Sequence, residues 1–403
     1  MRPSTALVLC AAAVGLTHAH AGHDHVEDTT EPFIGWTKED LDAKWGTDWG
    51  FSGISTFAHL QHERCLQHPE VEYDIAILGV PFDTAVTYRP GARFGPRAIR
   101  AASARQTSFR AYNPRAGVNP YLEWAKIIDC GDIPVTPFDN TLALRQMTEA
   151  YTNLAHSSPS AANKDSPVKY RRTPKLFTLG GDHSIALPTL RALNKIYGEV
   201  AVVHFDAHLD TWHPAKYPSA WVDKDDPFPV SFFTHGTMFW IAHNESLIQK
   251  GKSVHGGLRT RLTGIEDNED DDAQGWLRFT ADDIDDLGVA TMARRIVEHV
   301  GTETPVYLSI DIDVIDPGLA PGTGTPEPGG WTTRELIRVL RGIESLNVVG
   351  ADVVEVSPSY DGAGEVTALA AAQVAFEVLT SMVKRGMDEG GKAGGAGVVR
   401  DEL

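Results

Sequence analysis

The chain has 403 residues, is 42% hydrophobic and 22% charged, and carries a formal net charge of −18. That length can bury a large core, and the composition is that of a globular protein and not a disordered one. The acidic balance argues against nucleic acid as a partner, because phosphate neutralisation needs clustered Lys and Arg.

Residues 1–21 read as a secretory signal peptide: Arg2 gives a short basic start, residues 6–16 an apolar stretch, and Ala19-His20-Ala21 a small-x-small cleavage pattern. That stretch is too short to span a bilayer, and no other run reads as long enough, so no membrane span is expected. Residues 22–34 form a polar, acidic lead whose His23-Asp24-His25 reads as a solvated tail. One open α/β domain over residues 35–386 then explains an alternation of short apolar runs with longer helical stretches. The runs lie at 74–80, 126–130, 176–179, 200–205, 254–258, 306–310 and 348–354. Most are nearly continuous in Val, Ile and Leu, as strands buried on both faces of a parallel sheet require. Helices are expected at 96–107, 140–156, 186–197, 290–300, 333–346 and 367–385. The polar segment 157–173 reads as a surface loop, the Pro- and Asp-dense 214–229 as an insertion, and the acidic run 266–272 as a solvated loop. Signal removal leaves Cys65 and Cys130, read as free thiols in preference to a disulfide. Asn244-Glu245-Ser246 is a glycosylation sequon close in sequence to candidate site residues. The Gly-rich tail, 387–403, is expected to be unstructured and ends in Arg400-Asp401-Glu402-Leu403, similar to the retrieval signal of the endoplasmic reticulum. With the signal peptide, this points to the secretory pathway, either the ER lumen or secretion.

Three apolar runs end in metal-ligand side chains: Gly180-Gly181-Asp182-His183-Ser184, Asp206-Ala207-His208-Leu209-Asp210 and Ser309-Ile310-Asp311-Ile312-Asp313. Charged groups beside apolar strands are costly unless compensated, and sites in open parallel sheets form at the C-terminal strand ends. Alternate residues of an extended segment point to one side, so Asp206, His208 and Asp210 can face one cavity, and Asp311 and Asp313 repeat the device. His183 joins them. An oxygen-rich set with two imidazoles favours Mn²⁺ among divalent ions and excludes a thiolate zinc site. Two ions about 3.5–4 Å apart could share a water and bring its pKa toward neutrality, giving hydroxide as nucleophile. His235 titrates near physiological pH and could move protons, although in isolation it reads equally as a hydrogen-bonded surface residue. Glu355, ending the run 348–354 beside Asp352, could hold a guanidinium by a bidentate pair; alone it is an ordinary strand-end acid.

With these residues assembled, the chain resembles the ureohydrolases, the arginase and agmatinase family, over roughly residues 75–385. It is most similar to the agmatinase branch in Gly79-Val80-Pro81-Phe82-Asp83, Arg89-Pro90-Gly91-Ala92-Arg93-Phe94-Gly95-Pro96, His235-Gly236-Thr237-Met238-Phe239 and Gly322-Thr323-Gly324-Thr325-Pro326-Glu327. The resemblance implies a three-layer α/β/α sandwich with a mainly parallel sheet of about eight strands. It implies two Mn²⁺ per subunit on His183, Asp206, His208, Asp210, Asp311 and Asp313, with Asp210 and Asp313 in contact with the metals and the surroundings of the bridging hydroxide and no ligand apportioned to either ion. It further implies that bridging hydroxide attacks a guanidinium carbon, with Glu355 orienting the substrate, His235 relaying a proton and Asp210 beside the nucleophile. Agmatine, cleaved to putrescine and urea, is the expected substrate; the alternatives are guanidinobutyrate or another ω-guanidino acid, or an inactive lumenal metal- or polyamine-binding protein. Trimers or hexamers are implied. Thr211-Trp212-His213-Pro214 departs from the stretch with which arginases bind an amino-acid end, which disfavours arginine.

Overall fold

Eight strands form one sheet: β1 (Ile75–Gly79), β2 (Ile127–Asp132), β3 (Lys175–Leu179), β4 (Ala201–Phe205), β5 (Ser253–Leu258), β6 (Trp276–Thr280), β7 (Pro305–Asp311) and β8 (Asn347–Val354). Their order is β2-β1-β3-β8-β7-β4-β5-β6, and every neighbouring pair is parallel. This computed structural model describes residues 37–46, 48–216 and 233–394. The signal segment, His23 and His25, most of the 214–229 insertion and the terminal Arg400-Asp401-Glu402-Leu403 lie outside the described residues.

The helices are α1 (Lys38–Trp45), α2 (Gly95–Ala102), α3 (Asn140–Ala155), α4 (Ala186–Tyr197), α5 (Met238–Asn244), α6 (Glu266–Gln274), α7 (Asp283–Asp286), α8 (Val289–Val300), α9 (Thr333–Gly342) and α10 (Val366–Gly394). The chain divides into two compact units, Met1–Thr47 and Asp48–Leu403. The first contains α1, started by a capping box between Thr37 and Asp40. The second contains the sheet and the remaining helices.

Alternation along the strands explains the layers. Ile75, Ile77, Phe177 and Val203 pack with Ile99 of α2, Met292 of α8, Leu336 of α9 and Val378 of α10. Their neighbours Ala76, Leu78, Leu176 and Val202 pack on the other face with Met147 of α3, Leu190 of α4 and Phe239 of α5. Both faces are dry, so the strands read as unbroken apolar runs. Fully burying one such Leu or Ile contributes roughly 1.5–3 kcal/mol.

Several expectations are corrected. β6 went unrecognised because it is an edge strand with half-exposed Leu277 and Arg278 and lacks a continuous apolar run. The acidic run is not a solvated loop but helix α6, which turns Asp267 and Asp271 inward. Cys65 and Cys130 form a disulfide. Glu63 N donates to Asp129 O at 3.0 Å, bringing the Cys65 segment alongside β2, a proximity hidden by a separation of 65 residues. Closing such a loop stabilises by roughly 4 kcal/mol in the chain-entropy account. Segment 157–173 is anchored by Ser160 and Asn163, both bonded to buried Asp74. The last helix runs to Gly394, into the tail expected to be unstructured. α10 is also long and apolar enough to cross a membrane by length and composition. However, 78% of its most apolar window is buried inside the protein, as in a core helix.

Candidate metal centre

The four middle strands, β3, β8, β7 and β4, end at one edge of the sheet, and each delivers part of the cluster. After β3 the chain turns through Gly180-Gly181, where a Cβ on Gly181 would lie 1.9 Å from the Phe82 carbonyl oxygen, so only glycine fits. Asp182 then caps the short helical turn His183–Ile185 through Ser184 N, aiming His183 at the end of β4. The Asp206–Asp210 segment is not simply extended: Asp210 has φ +55, and Glu355 after β8 has φ +61. A left-handed backbone at non-glycine residues costs energy and clusters at functional sites. Asp311 likewise caps the turn that carries Asp313, accepting from Asp313 N at 2.9 Å.

All six candidate ligands converge. His183 Nδ1 lies 3.1 Å from Asp206 Oδ2, 3.1 Å from Asp210 Oδ2 and 3.2 Å from Asp311 Oδ2. His208 Nδ1 lies 3.1 Å from both Asp206 Oδ1 and Asp313 Oδ2. Asp206 is therefore the carboxylate shared by the two groups, while Asp210 sits on the His183 side and Asp313 on the His208 side.

The tautomer of His183 decides what the cluster wants. Asp352 Oδ1 accepts from Ser309 Oγ at 2.9 Å, so Ser309 Oγ is left to accept from His183 Nε2 at 2.8 Å. The His183 Nδ1 lone pair then faces three carboxylate oxygens, and this buried nitrogen has no hydrogen-bond partner. Without a metal the same three carboxylates push His183 well above its ordinary value against burial, so a proton on Nδ1 compensates them; a divalent cation bound there would take that proton's place. The carboxylates agree. Burial and the charges of Asp313 and Asp206 push Asp311 well above the ordinary range, and burial with Asp206 pushes Asp313 up to about 6. Two groups of oxygen and nitrogen donors within metal-binding reach of one another, His183, His204, Asp206 and Asp210 on one side and Asp206, His208 and Asp313 on the other, share Asp206 and fit a binuclear divalent-metal site, with Asp311 beside His183.

Beside it stand the two other candidates. Glu355 Oε1 accepts from His183 N at 2.9 Å and lies 3.0 Å from His235 Nδ1. Glu355 Oε2 is buried with no partner. His235 Nε2 meets Thr87 N at 3.0 Å and Thr87 Oγ1 at 2.8 Å. Burial opposes protonation of His235, but the hydrogen bond and charge of Glu355 hold its pKa up at about 9. Thr87 N donates to Nε2, so Nε2 is the acceptor and Nδ1–H faces Glu355 Oε1; a proton on Nε2 would have the Thr87 hydroxyl as acceptor at the loss of the backbone bond.

Residues that sequence reasoning missed surround the cluster: His204, Ser309, Asp352, Thr87 and Glu327, whose Oε1 lies 3.8 Å from His208 Nε2. His204 carried a usable signal, because it precedes Asp206 by two on one strand and so faces the same side. Asn244 of the sequon is exposed at the end of α5.

Comparison with known proteins agrees with this geometry. The sequence profile of the arginase family matches residues 73–380. "Putative agmatinase 1" of Schizosaccharomyces pombe is 43% identical over 386 residues, covering 94% of each chain. An agmatinase of Chromobacterium violaceum is 38% identical, covering 82% of this chain and 89% of its own. Among solved structures, proclavaminate amidino hydrolase from Streptomyces clavuligerus superposes with a TM-score of 0.70 at 34% identity, covering 84% of this chain and all of its own.

Proposed function

This chain belongs to the arginase family, and on that premise we propose that it is a Mn²⁺-dependent hydrolase of a linear guanidino compound, agmatine, releasing putrescine and urea. The observation that carries the reading is the His183 Nδ1 lone pair held among three carboxylates beside a buried, unpartnered Glu355 Oε2. The first asks for a cation, and the second asks for a donor such as a guanidinium N–H.

His183, Asp206, Asp210, Asp311, His208 and Asp313 would hold the two ions, with Asp206 common to both. When bound, such ions supply Lewis acidity and a water whose pKa is brought near neutrality. The residues do the rest. Glu355 uses Oε1 to tie itself to His183 N and His235, which leaves Oε2 aimed for a charge-assisted bond to the substrate. His235 gives a proton to the departing amine from a ring poised between Glu355 and Thr87. The carboxylate-rich pocket favours a cationic substrate over an anionic one. Mn²⁺ is the ion that this mixture of hard oxygens and imidazole suits, with no thiolate at the site among the described residues.

Agmatine is supported by the agmatinase names among the relatives. The likeness to proclavaminate amidino hydrolase favours a second reading, in which another guanidino compound is the substrate. Urea release from agmatine, 4-guanidinobutyrate and arginine by the Mn²⁺-loaded protein separates them: fastest turnover of agmatine supports the first reading, and fastest turnover of the guanidino acid replaces it. Residence in the secretory pathway belongs to the same reading and is supported by the Cys65–Cys130 disulfide, since such bonds persist in oxidising compartments. Assembly into trimers or hexamers is part of it too.

A further inference from the structure

Behind the metal cluster runs a buried polar chain that the mechanism leaves unused. His204 Nε2 lies 2.9 Å from Asp206 Oδ2, and its Nδ1 lies 2.7 Å from His255 Nδ1 on β5. His255 Nε2 in turn lies 3.2 Å from Asp271 Oδ1 on α6. All four residues are 0% exposed. The rings are clamped: His255 stacks on Trp276 with centroids 4.0 Å apart, and His204 meets Phe239 edge-on at 4.9 Å.

A second line leaves the same helix. Thr211, which follows Asp210, donates its hydroxyl to Asp271 Oδ1 at 2.7 Å, and Gln274 Nε2 donates to the Thr211 carbonyl at 3.0 Å. On the outer side Arg278 Nη1 donates to Asp271 Oδ2 at 2.7 Å. Asp271 thus makes three bonds, two of which lead to the segments that carry Asp206 and Asp210. Burying a carboxylate this deeply is costly, and replacing a buried ion pair with apolar side chains is often neutral or better for stability. Its geometry has a use for a metal site, where partners behind the ligands fix their orientation.

We propose that Asp271 is a positioning residue of the metal centre, aiming Asp206 through His255 and His204 and pinning the Asp210 segment through Thr211. The inference rests on reading the cluster as a divalent-metal centre. It also gives the acidic helix a role that its charge pattern conceals.

The test is Mn²⁺ affinity by chelator competition on the full chain, together with the melting temperature of the metal-free protein and kcat and KM for agmatine. Asp271→Ala is expected to weaken Mn²⁺ binding by about 10–100-fold. At saturating Mn²⁺ it should lower kcat and leave KM near wild type, because Glu355 is untouched. Thr211→Val, which deletes a single hydrogen bond, should weaken binding by about 2–10-fold. Asp272→Ala is the control: Asp272 pairs with the same Arg278 at 2.9 Å but is 62% exposed, and its loss should leave Mn²⁺ affinity unchanged. A folded Asp271→Ala protein that binds Mn²⁺ like wild type overturns the proposal, as does an equal loss in Asp272→Ala. If Asp271→Ala does not fold, Thr211→Val decides, and wild-type affinity there overturns it. A wild-type protein that binds no Mn²⁺ removes the metal reading and this proposal together. Wild-type binding with unaffected variants removes the proposal alone.

Discussion

Two regions of this molecule crowd carboxylates together, and they compensate them differently. On α6 the two inward acids each have a fixed protein cation: Lys216 Nζ lies 2.9 Å from Asp267, and Arg278 Nη1 lies 2.7 Å from Asp271. Burial would raise both, but Lys216 holds Asp267 below the ordinary range, and His255, with Thr211 and Arg278 behind it, holds Asp271 at about 2. At the strand ends, Asp210, Asp311 and Asp313 have imidazoles but no Lys or Arg side chain in ion-pair contact among the described residues, and their pKa values rise. Asp206 is the exception, held low by His204, His183 and His208 against the effect of burial. Acids that bring their own cations serve as scaffold. Acids that lack them await cations from solution.

The sharpest way to break this comparison is to remove one strand-end acid. Asp313→Ala should abolish Mn²⁺ retention at one position and lower urea production by roughly 1,000-fold, the several kcal/mol that metal activation supplies. Near-normal turnover would take Asp313 out of the ligand set. His235→Ala should cost about 100-fold in kcat while leaving the metal content intact. A parallel loss of metal would assign His235 to the cluster instead.

Glu355→Gln should lower kcat/KM by about 10–100-fold, chiefly through KM, as loss of a charged hydrogen bond predicts. It should also move the pH profile. Glu355 holds His235 above its ordinary value against burial, so acting as an acid it loses activity on the high-pH side; without the anion that limb should move to lower pH. An unmoved limb would separate His235 from proton transfer.

The smallest effect is the most direct reading of the two acid regions. In the metal-free protein Asp313 has a pKa of about 6 against 3.8 when unfolded, so between those values the native state holds more protons. Its stability should therefore fall as pH rises from about 4 to 6. Asp271, held at about 2, has the opposite sign: its contribution is present above 3.8 and is lost as pH falls toward 2. Melting curves across pH 4–7 should show the strand-end penalty without metal and its disappearance with Mn²⁺. Identical slopes with and without metal would contradict it.

Much of the fold and the ligand set was legible because both rest on one pattern, polar ligands placed at the ends of unbroken apolar runs. His183, the Asp206–Asp210 segment, Asp311, Asp313 and Glu355 all stand where such a run stops. What was illegible depends on pairing across the chain. The partners of Asp271 come from β5, β6 and the segment after β4, so an acid fixed by Arg278 and His255 looks in sequence like its solvated neighbour Asp272. The disulfide was hidden for the same reason. β6 failed because its two buried residues, Trp276 and Phe279, are separated by half-buried Leu277 and Arg278 and form neither a continuous nor an alternating apolar run. The sharing of Asp206 depends on which oxygen meets which imidazole, and spacing carries no information about that.

The central claim is that these carboxylates exist to hold two ions that activate water against a guanidinium. Metal content per chain and urea release from agmatine, measured on the same samples during Mn²⁺ titration of metal-free protein, test it directly. The account predicts two Mn²⁺ per chain with activity rising in step with occupancy. Full activity in chelator-treated protein, or saturation below two ions, would contradict it.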